Sequence, residues 1–232
     1  MPDLNFESDF EYQVYLIVGL VGVSNEPEIP SVINGNKFDI RDHQVKALES
    51  WKSNDFRGVL KLATGSGKTI TAIFGAIKIY QSWKRLCFIV AVPYVELAKQ
   101  WVENLKIFNI NAHKCFDSKE IWHDKLANDI NLFSTGHISF LPIVVVNRTL
   151  TSPSFQKMVV KIDNESMLFI GDECHRHGSE KIHDVLPDAR LRLGLSATPF
   201  QDDDDEIETP FPNINKERIT SYYGEIVSEY TL

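Results

Sequence analysis

The chain has 232 residues, with 24 Lys and Arg against 32 Asp and Glu, a formal net charge of −8; at roughly 100–200 residues per domain this suits one large domain or one with a small addition. Hydrophobic residues make up 43% and charged residues 24%, a globular composition that excludes a disordered chain and a strongly basic nucleic-acid coat protein. The longest apolar runs, 16–23 and 86–95, fall short of the ~18 residues that a spanning helix needs, so no membrane partner is expected.

Residues 1–37 hold a β-rich run at 12–23 and then turn signals at Glu26-Pro27, Ile29-Pro30 and Asn34-Gly35. They read as an extension or as the tail of an upstream domain. Phe38-Asp39-Ile40-Arg41-Asp42-His43-Gln44 follows. A Gln amide can pair with both N6 and N7 of adenine, and Phe38 or Arg41 would stack on the ring. From Asp42 onward strand-like and helix-like stretches alternate. Apolar runs at 59–62, 86–92, 141–146, 167–171 and 191–195 suit strands of a parallel sheet covered on both faces. Stretches such as 68–80 and 95–108 carry apolar residues at helical spacing. The alternation predicts a doubly wound, mainly parallel α/β fold.

The first strand runs into Ala63-Thr64-Gly65-Ser66-Gly67-Lys68-Thr69, which opens a helix. That context marks a phosphate-binding loop. Thr64, Gly65, Ser66 and Gly67 would turn backbone N–H groups toward phosphate oxygens, with the positive end of the helix behind them. Lys68 would reach the β and γ phosphates of ATP, and the Thr69 hydroxyl would bind Mg²⁺. The full pattern places Gly where this chain has Leu62.

A later strand ends in Gly171-Asp172-Glu173-Cys174-His175. With a phosphate loop upstream, Asp172 acquires the role of Mg²⁺ ligand and Glu173 that of general base toward the attacking water. His175, His177 and His183 beside Cys174 do not have the spacing of a structural zinc site. His175 is expected to hydrogen-bond between the nucleotide site and its neighbours, and His177 and His183 to be solvated. Leu195-Ser196-Ala197-Thr198-Pro199 closes the last core strand, and the hydroxyls of Ser196 and Thr198 would couple the nucleotide site to something beyond it. Asp202, Asp203, Asp204, Asp205, Glu206 and Glu208 form one acidic run. The rest of the chain is close to neutral, and the run reads as a solvated loop. Residues 222–232 read as a turn and a strand.

These four elements in this order resemble the first RecA-like domain of superfamily 2 helicases and translocases. The resemblance is to members with a DExH-type box, such as type I and type III restriction motors and repair helicases. It implies a RecA-like P-loop NTPase domain at 38–220, with 221–232 beginning a connection to a second motor domain. Pro93-Tyr94, with Leu97, Gln100 and Trp101 on the next helix, lie where motif Ia is expected, and Asn147-Arg148-Thr149-Leu150 where motif Ib is. Pro93, Tyr94, Arg148 and Thr149 would then contact nucleic acid through its phosphates, whereas Leu97 and Trp101 suit the core. DNA is favoured by the resemblance to restriction and repair motors, with RNA left open, and nuclease or methylase subunits are possible partners.

The Gln-x-x-Gly-Arg-x-x-Arg pattern of the second domain is missing from this sequence. The chain is therefore expected to act as the ATP-binding half of a motor, with the second domain supplying an arginine finger. The other reading is a nucleotide-dependent binding module with little turnover of its own. A small-molecule kinase would need neither Gln44 nor Ser196-Ala197-Thr198. Three cysteines without paired spacing and an N-terminus without a signal peptide predict a reduced, cytoplasmic protein.

Overall fold

The computed structural model of the chain describes residues 26–33, 35–198 and 212–231. The apolar run at 12–23, Pro199 and the acidic run at 202–208 lie outside the described residues. After a short antiparallel hairpin, β1 (Val32–Ile33) and β2 (Asn36–Lys37), strands and helices alternate as the sequence pattern predicts. The strands are β3 (Arg57–Leu62), β4 (Leu86–Val92), β5 (His113–Cys115), β6 (Phe140–Val146), β7 (Met167–Asp172), β8 (Leu191–Ser196) and β9 (Ile226–Tyr230). The helices are α1 (Asp42–Ser53), α2 (Lys68–Trp83), α3 (Val95–Ile107), α4 (Lys119–Ser134), α5 (Asn147–Leu150), α6 (Pro153–Val159), α7 (Glu180–His183) and α8 (Pro212–Tyr223).

Seven strands form one sheet in the order β5-β6-β4-β7-β8-β3-β9. Each neighbouring pair in it is parallel. The continuous apolar runs have the physical cause inferred from them, since β4, β6, β7 and β8 are buried along their whole length. Alternate residues serve two cores. Leu60, Leu62, Phe88, Val90 and Val92 meet α1, α2 and α3 on one face. Val59, Cys87, Ile89 and Ala91 meet α4, α6 and α8 on the other. Trp51 and Trp101 anchor the first core at 1% and 0% exposure, each contributing on the order of 2–3 kcal/mol through burial. Their indole N–H groups reach out of it, that of Trp51 to the Arg192 carbonyl at 2.9 Å.

The strand foreseen in residues 222–232 forms, and its place is the edge of this sheet. β9 pairs with β3, and the Ala63 N–H donates to the Tyr230 carbonyl at 2.9 Å. Residue 220 lies within α8, whose Ile219, Tyr222 and Tyr223 fill the second core. β5 and α4 were not anticipated: a three-residue strand is too short to show a period.

All the sheet strands point the same way, so the carboxyl ends of β3, β7 and β8 share one rim, the edge at which open α/β sheets bind ligands. Among the described residues, no helix is long and apolar enough to cross a membrane.

Candidate active site

The loop between β3 and α2 is shaped by two glycines at positive φ, Gly65 at +81° and Gly67 at +91°. An L side chain rarely adopts that backbone region. Gly67 is also closely covered, since a β-carbon there would lie 2.6 Å from Gln44 Nε2, while Gly65 faces open space. α2 begins at Lys68 with no acidic residue in its first turn, so its amino-terminal N–H groups keep their attraction for an anion. Ser66 is fully buried and its hydroxyl has no protein partner. A buried hydroxyl without a partner is costly. A triphosphate in the loop fits this arrangement, because it would bring acceptors to the amino-terminal N–H groups that a helix leaves unpaired.

Gln44 lies over this loop. Its Nε2 donates to the Gly67 carbonyl at 3.2 Å and its Oε1 accepts the Arg41 N–H at 2.9 Å. Arg41 is exposed, and Phe38 packs edge-on to Phe108 with ring centroids 5.8 Å apart. His43, which the sequence reading passed over, has Nε2 3.0 Å from the Ser66 carbonyl and stacks on Tyr230 at 4.0 Å and 8°. The adenine-reading candidates, the phosphate loop and the last strand thus form one connected cluster.

The acidic motif meets the loop across β8. Lys68 Nζ lies 3.8 Å from Glu173 Oε1. Asp172 is 4% exposed. Its Oδ2 accepts the Trp101 indole N–H at 2.7 Å and its Oδ1 the Glu173 N–H at 3.1 Å. Burial holds the Asp172 carboxyl above the usual range and the neighbouring Glu173 charge adds to this, while the Trp101 hydrogen bond and the Lys68 ammonium oppose it. Glu173 itself sits at φ +52°, a strained conformation for a residue with a side chain. It turns the chain sharply at the end of β7 into the 3₁₀ turn Cys174–Gly178.

His175 Nδ1 lies 3.1 Å from Ser196 Oγ and 3.5 Å from Glu173 Oε2. Ser196 Oγ lies 3.5 Å from Glu173 Oε2 and accepts the Thr198 N–H at 3.1 Å. The structure therefore brings Glu173, His175, Ser196 and Thr198 into one hydrogen-bonded group beside Lys68. Thr69 opens the same helix as Lys68, partly exposed at the loop. Cys174 is a buried thiol, which burial shifts toward the neutral form.

One expectation is corrected. His177 is not solvated: it is 1% exposed, with Nδ1 2.6 Å from the Tyr223 hydroxyl and Nε2 3.1 Å from Asn147 Oδ1. The 3₁₀ turn winds it inward, and both partners come from distant parts of the chain. His183 keeps part of its ring in solvent, as expected, but also lies 3.4 Å from Ser221 Oγ. Trp101 belongs to the core as expected, but its role as the donor to Asp172 was not foreseen.

Val92 and Val146 are partners in the β4–β6 ladder, so Pro93-Tyr94 and Asn147-Arg148 leave the sheet side by side. Tyr94 is 50% exposed, and the Arg176 guanidinium stands over its ring at 6.0 Å. Arg148 is exposed and Thr149 half-buried. Together these residues place aromatic surface and positive charge on the same rim, next to the nucleotide cluster.

Residues 37–201 match the family of the type III restriction enzyme res subunit. "Putative helicase 22" of a Sulfolobus islandicus filamentous virus (isolate Iceland/Hveragerdi) is 27% identical over 195 residues, 82% of this chain and 33% of the viral protein. The fold matches a nuclease-deletion mutant of the type ISP restriction-modification enzyme LlaGI, solved with a DNA substrate mimic. That match has a TM-score of 0.60 at 18% identity and covers 84% of this chain and 20% of that one. It also matches the UvsW helicase of bacteriophage T4, with a TM-score of 0.55 at 18% identity, over 97% of this chain and 68% of that one. The chain thus spans about a third of the viral relative and a fifth of LlaGI. It belongs to the type III restriction enzyme res-subunit family, with an α/β fold matching RecA-like helicase domains.

Proposed function

We propose that this chain is the ATP-binding half of a nucleic-acid-dependent ATPase, a DNA helicase or translocase of the restriction and repair type. The observation that carries the reading is the approach of the Lys68 ammonium to the Glu173 carboxylate at 3.8 Å, with buried Asp172 beside it. These residues are about a hundred positions apart in sequence, and they meet at the rim where a phosphate loop and a helix amino terminus already favour a polyanion.

In this reading the backbone of Thr64, Gly65, Ser66 and Gly67 and the Lys68 ammonium bind the phosphates. Gln44 orients adenine, with Phe38 and Arg41 flanking it. Thr69 and Asp172 hold Mg²⁺, which when bound neutralises phosphate charge. Glu173 accepts a proton from the attacking water. Its strained backbone, together with Ser196 and His175, fixes the direction in which its carboxylate points. His175, Ser196 and Thr198 relay the state of the site. Tyr94, Pro93, Arg148 and Thr149 meet the phosphates of DNA. A second RecA-like domain completes the site with an arginine finger worth about 10³–10⁵ in rate, and nuclease or methylase parts belong to the larger assembly. The three buried free thiols fit a reducing cytoplasm.

The test is titration with a fluorescent ATP analogue and Mg²⁺, followed by a phosphate-release assay. Lys68→Ala should abolish binding, and Glu173→Gln should bind like wild type yet lose hydrolysis. Undiminished binding by Lys68→Ala would overturn the assignment.

A further inference from the structure

His177 has no place in the nucleotide chemistry, yet it is buried and hydrogen-bonded on both ring nitrogens. Its ring bonds Asn147, at the start of the helix on the nucleic-acid rim, and Tyr223 of α8. Asn147 Oδ1 can only accept, so His177 Nε2–H donates to it at 3.1 Å. Nδ1 then accepts the Tyr223 hydroxyl at 2.6 Å. This fixes one neutral tautomer, and burial keeps the ring neutral, pushing its pKa down to about 3. An apolar side chain of the same volume would fix only the position of the turn, whereas two directed hydrogen bonds also fix its rotation.

The surroundings leave little slack. The His177 and Tyr223 rings stack at 6.1 Å and 22°, with Phe169 beneath both. A β-carbon on Gly171 would lie 2.8 Å from ring atoms of His177 and would strike the Tyr223 hydroxyl. The turn that carries His177 begins at Glu173, beside Lys68, and His175 in the same turn bonds Ser196. Asn147 opens the helix that carries Arg148 and Thr149. A single buried ring thus connects the turn that begins at Glu173 to the start of the exposed Arg148 segment.

We propose that His177 is a positioning residue that couples the nucleotide site to the nucleic-acid rim through its hydrogen bond to Asn147. The proposal rests on the functional reading above. It adds a specific route, distinct from the hydroxyls of Ser196 and Thr198, by which each ligand alters the affinity for the other.

The experiment measures binding of a short fluorescent DNA duplex by anisotropy, at one salt concentration, with and without Mg²⁺ and a non-hydrolysable ATP analogue. Salt must be held fixed because phosphate contacts dominate affinity. For the wild-type chain the nucleotide should change DNA affinity by about five-fold or more. In His177→Phe and Asn147→Ala this change should shrink to within about two-fold of none, while affinity for the fluorescent ATP analogue stays within about two-fold of wild type. His177→Gln, whose amide can donate to Asn147 and accept from Tyr223, should retain the coupling, which a merely space-filling role would not require. Where His177→Phe fails to fold in a melting assay, Asn147→Ala decides, because it leaves the imidazole in place. Wild-type coupling in the folded variants, or none in the wild-type chain, overturns the proposal. Failure of the wild-type chain to bind the ATP analogue at all would instead overturn the functional reading, and this inference with it.

Discussion

The Trp101 indole N–H donates to Asp172 Oδ2 at 2.7 Å across 71 positions of sequence. Both groups are buried, so the bond supplies a fixed, uncharged donor to a carboxylate that has lost its water. It fixes the Asp172 carboxylate without neutralising it, which a lysine in the same place would do.

Trp101→Phe keeps the ring in the core and removes that donor. A hydrogen bond to a charged group is worth about 1.5–3 kcal/mol, and this loss should appear as a lower midpoint in urea denaturation. If Asp172 holds Mg²⁺ as proposed, hydrolysis should also need more Mg²⁺, since its carboxylate is no longer held by the indole. A variant as stable as wild type would show that the bond is idle.

His177 gives a pH dependence with a definite sign. Its pKa falls from 6.5 to about 3 on folding, so between those values the unfolded chain binds a proton that the folded chain does not. Stability must therefore fall as the pH drops through that window, by up to about 1.4 kcal/mol per pH unit from this group. Below about pH 3 the folded form is protonated as well and the contribution stops growing. His177→Gln lacks the titration, so denaturation curves from pH 7 to 4 should show wild type losing stability relative to the variant. Parallel curves would contradict the neutral, buried state.

What was legible in the sequence shares one property, which is that its signal is local. Val59 to Thr69 announces strand, turn and helix within a dozen residues, and Met167 to His175 does the same for the acidic strand end. Sheet-edge chemistry then follows from topology, because parallel strands put their carboxyl ends on one rim. The illegible part is made of pairs distant in sequence. His177 reads as a polar residue in a charged turn, and only Asn147 and Tyr223, 30 and 46 positions away, make its burial tolerable. Trp101 reads as an apolar helix position, and nothing nearby in sequence reveals the carboxylate its N–H will meet. β5 is set by pairing with β6 rather than by any pattern of its own.

The two loop glycines separate backbone strain from crowding. Gly65→Ala and Gly67→Ala both force a β-carbon into the left-handed region, each costing about 1–2 kcal/mol. Only at Gly67 would the new atom also meet Gln44, 2.6 Å from its amide nitrogen. Both variants should melt earlier, Gly67→Ala the more, because displacing buried Gln44 also strains its two hydrogen bonds. If Gln44 reads adenine as proposed, Gly67→Ala alone should lose preference for ATP over GTP, measured by competition against the fluorescent analogue, because the new β-carbon displaces the Gln44 amide. Equal base preference in the two variants would argue against Gln44 as the reader.

His43 and Tyr230 tie the phosphate loop to the last strand. The rings stack at 4.0 Å and 8°, His43 also reaches the Ser66 carbonyl, and the Tyr230 carbonyl accepts from Ala63. Pulling β9 away would therefore disturb the loop from both of its ends. An aromatic pair contributes about 0.5–1.5 kcal/mol beyond the area it buries, and residues in contact deviate from additivity by amounts of that order. The cycle His43→Ala, Tyr230→Ala and the double variant should give a stability coupling in that range. The same cycle read by ATP-analogue affinity should also be non-additive, since His43→Ala removes the bond to the Ser66 carbonyl and Tyr230→Ala removes the ring that holds His43 in place to make it. Additive stability with non-additive binding would place the effect in the loop alone. Additivity in both would mean that the stack is an incidental contact and that β9 holds the loop only through its backbone bond to Ala63.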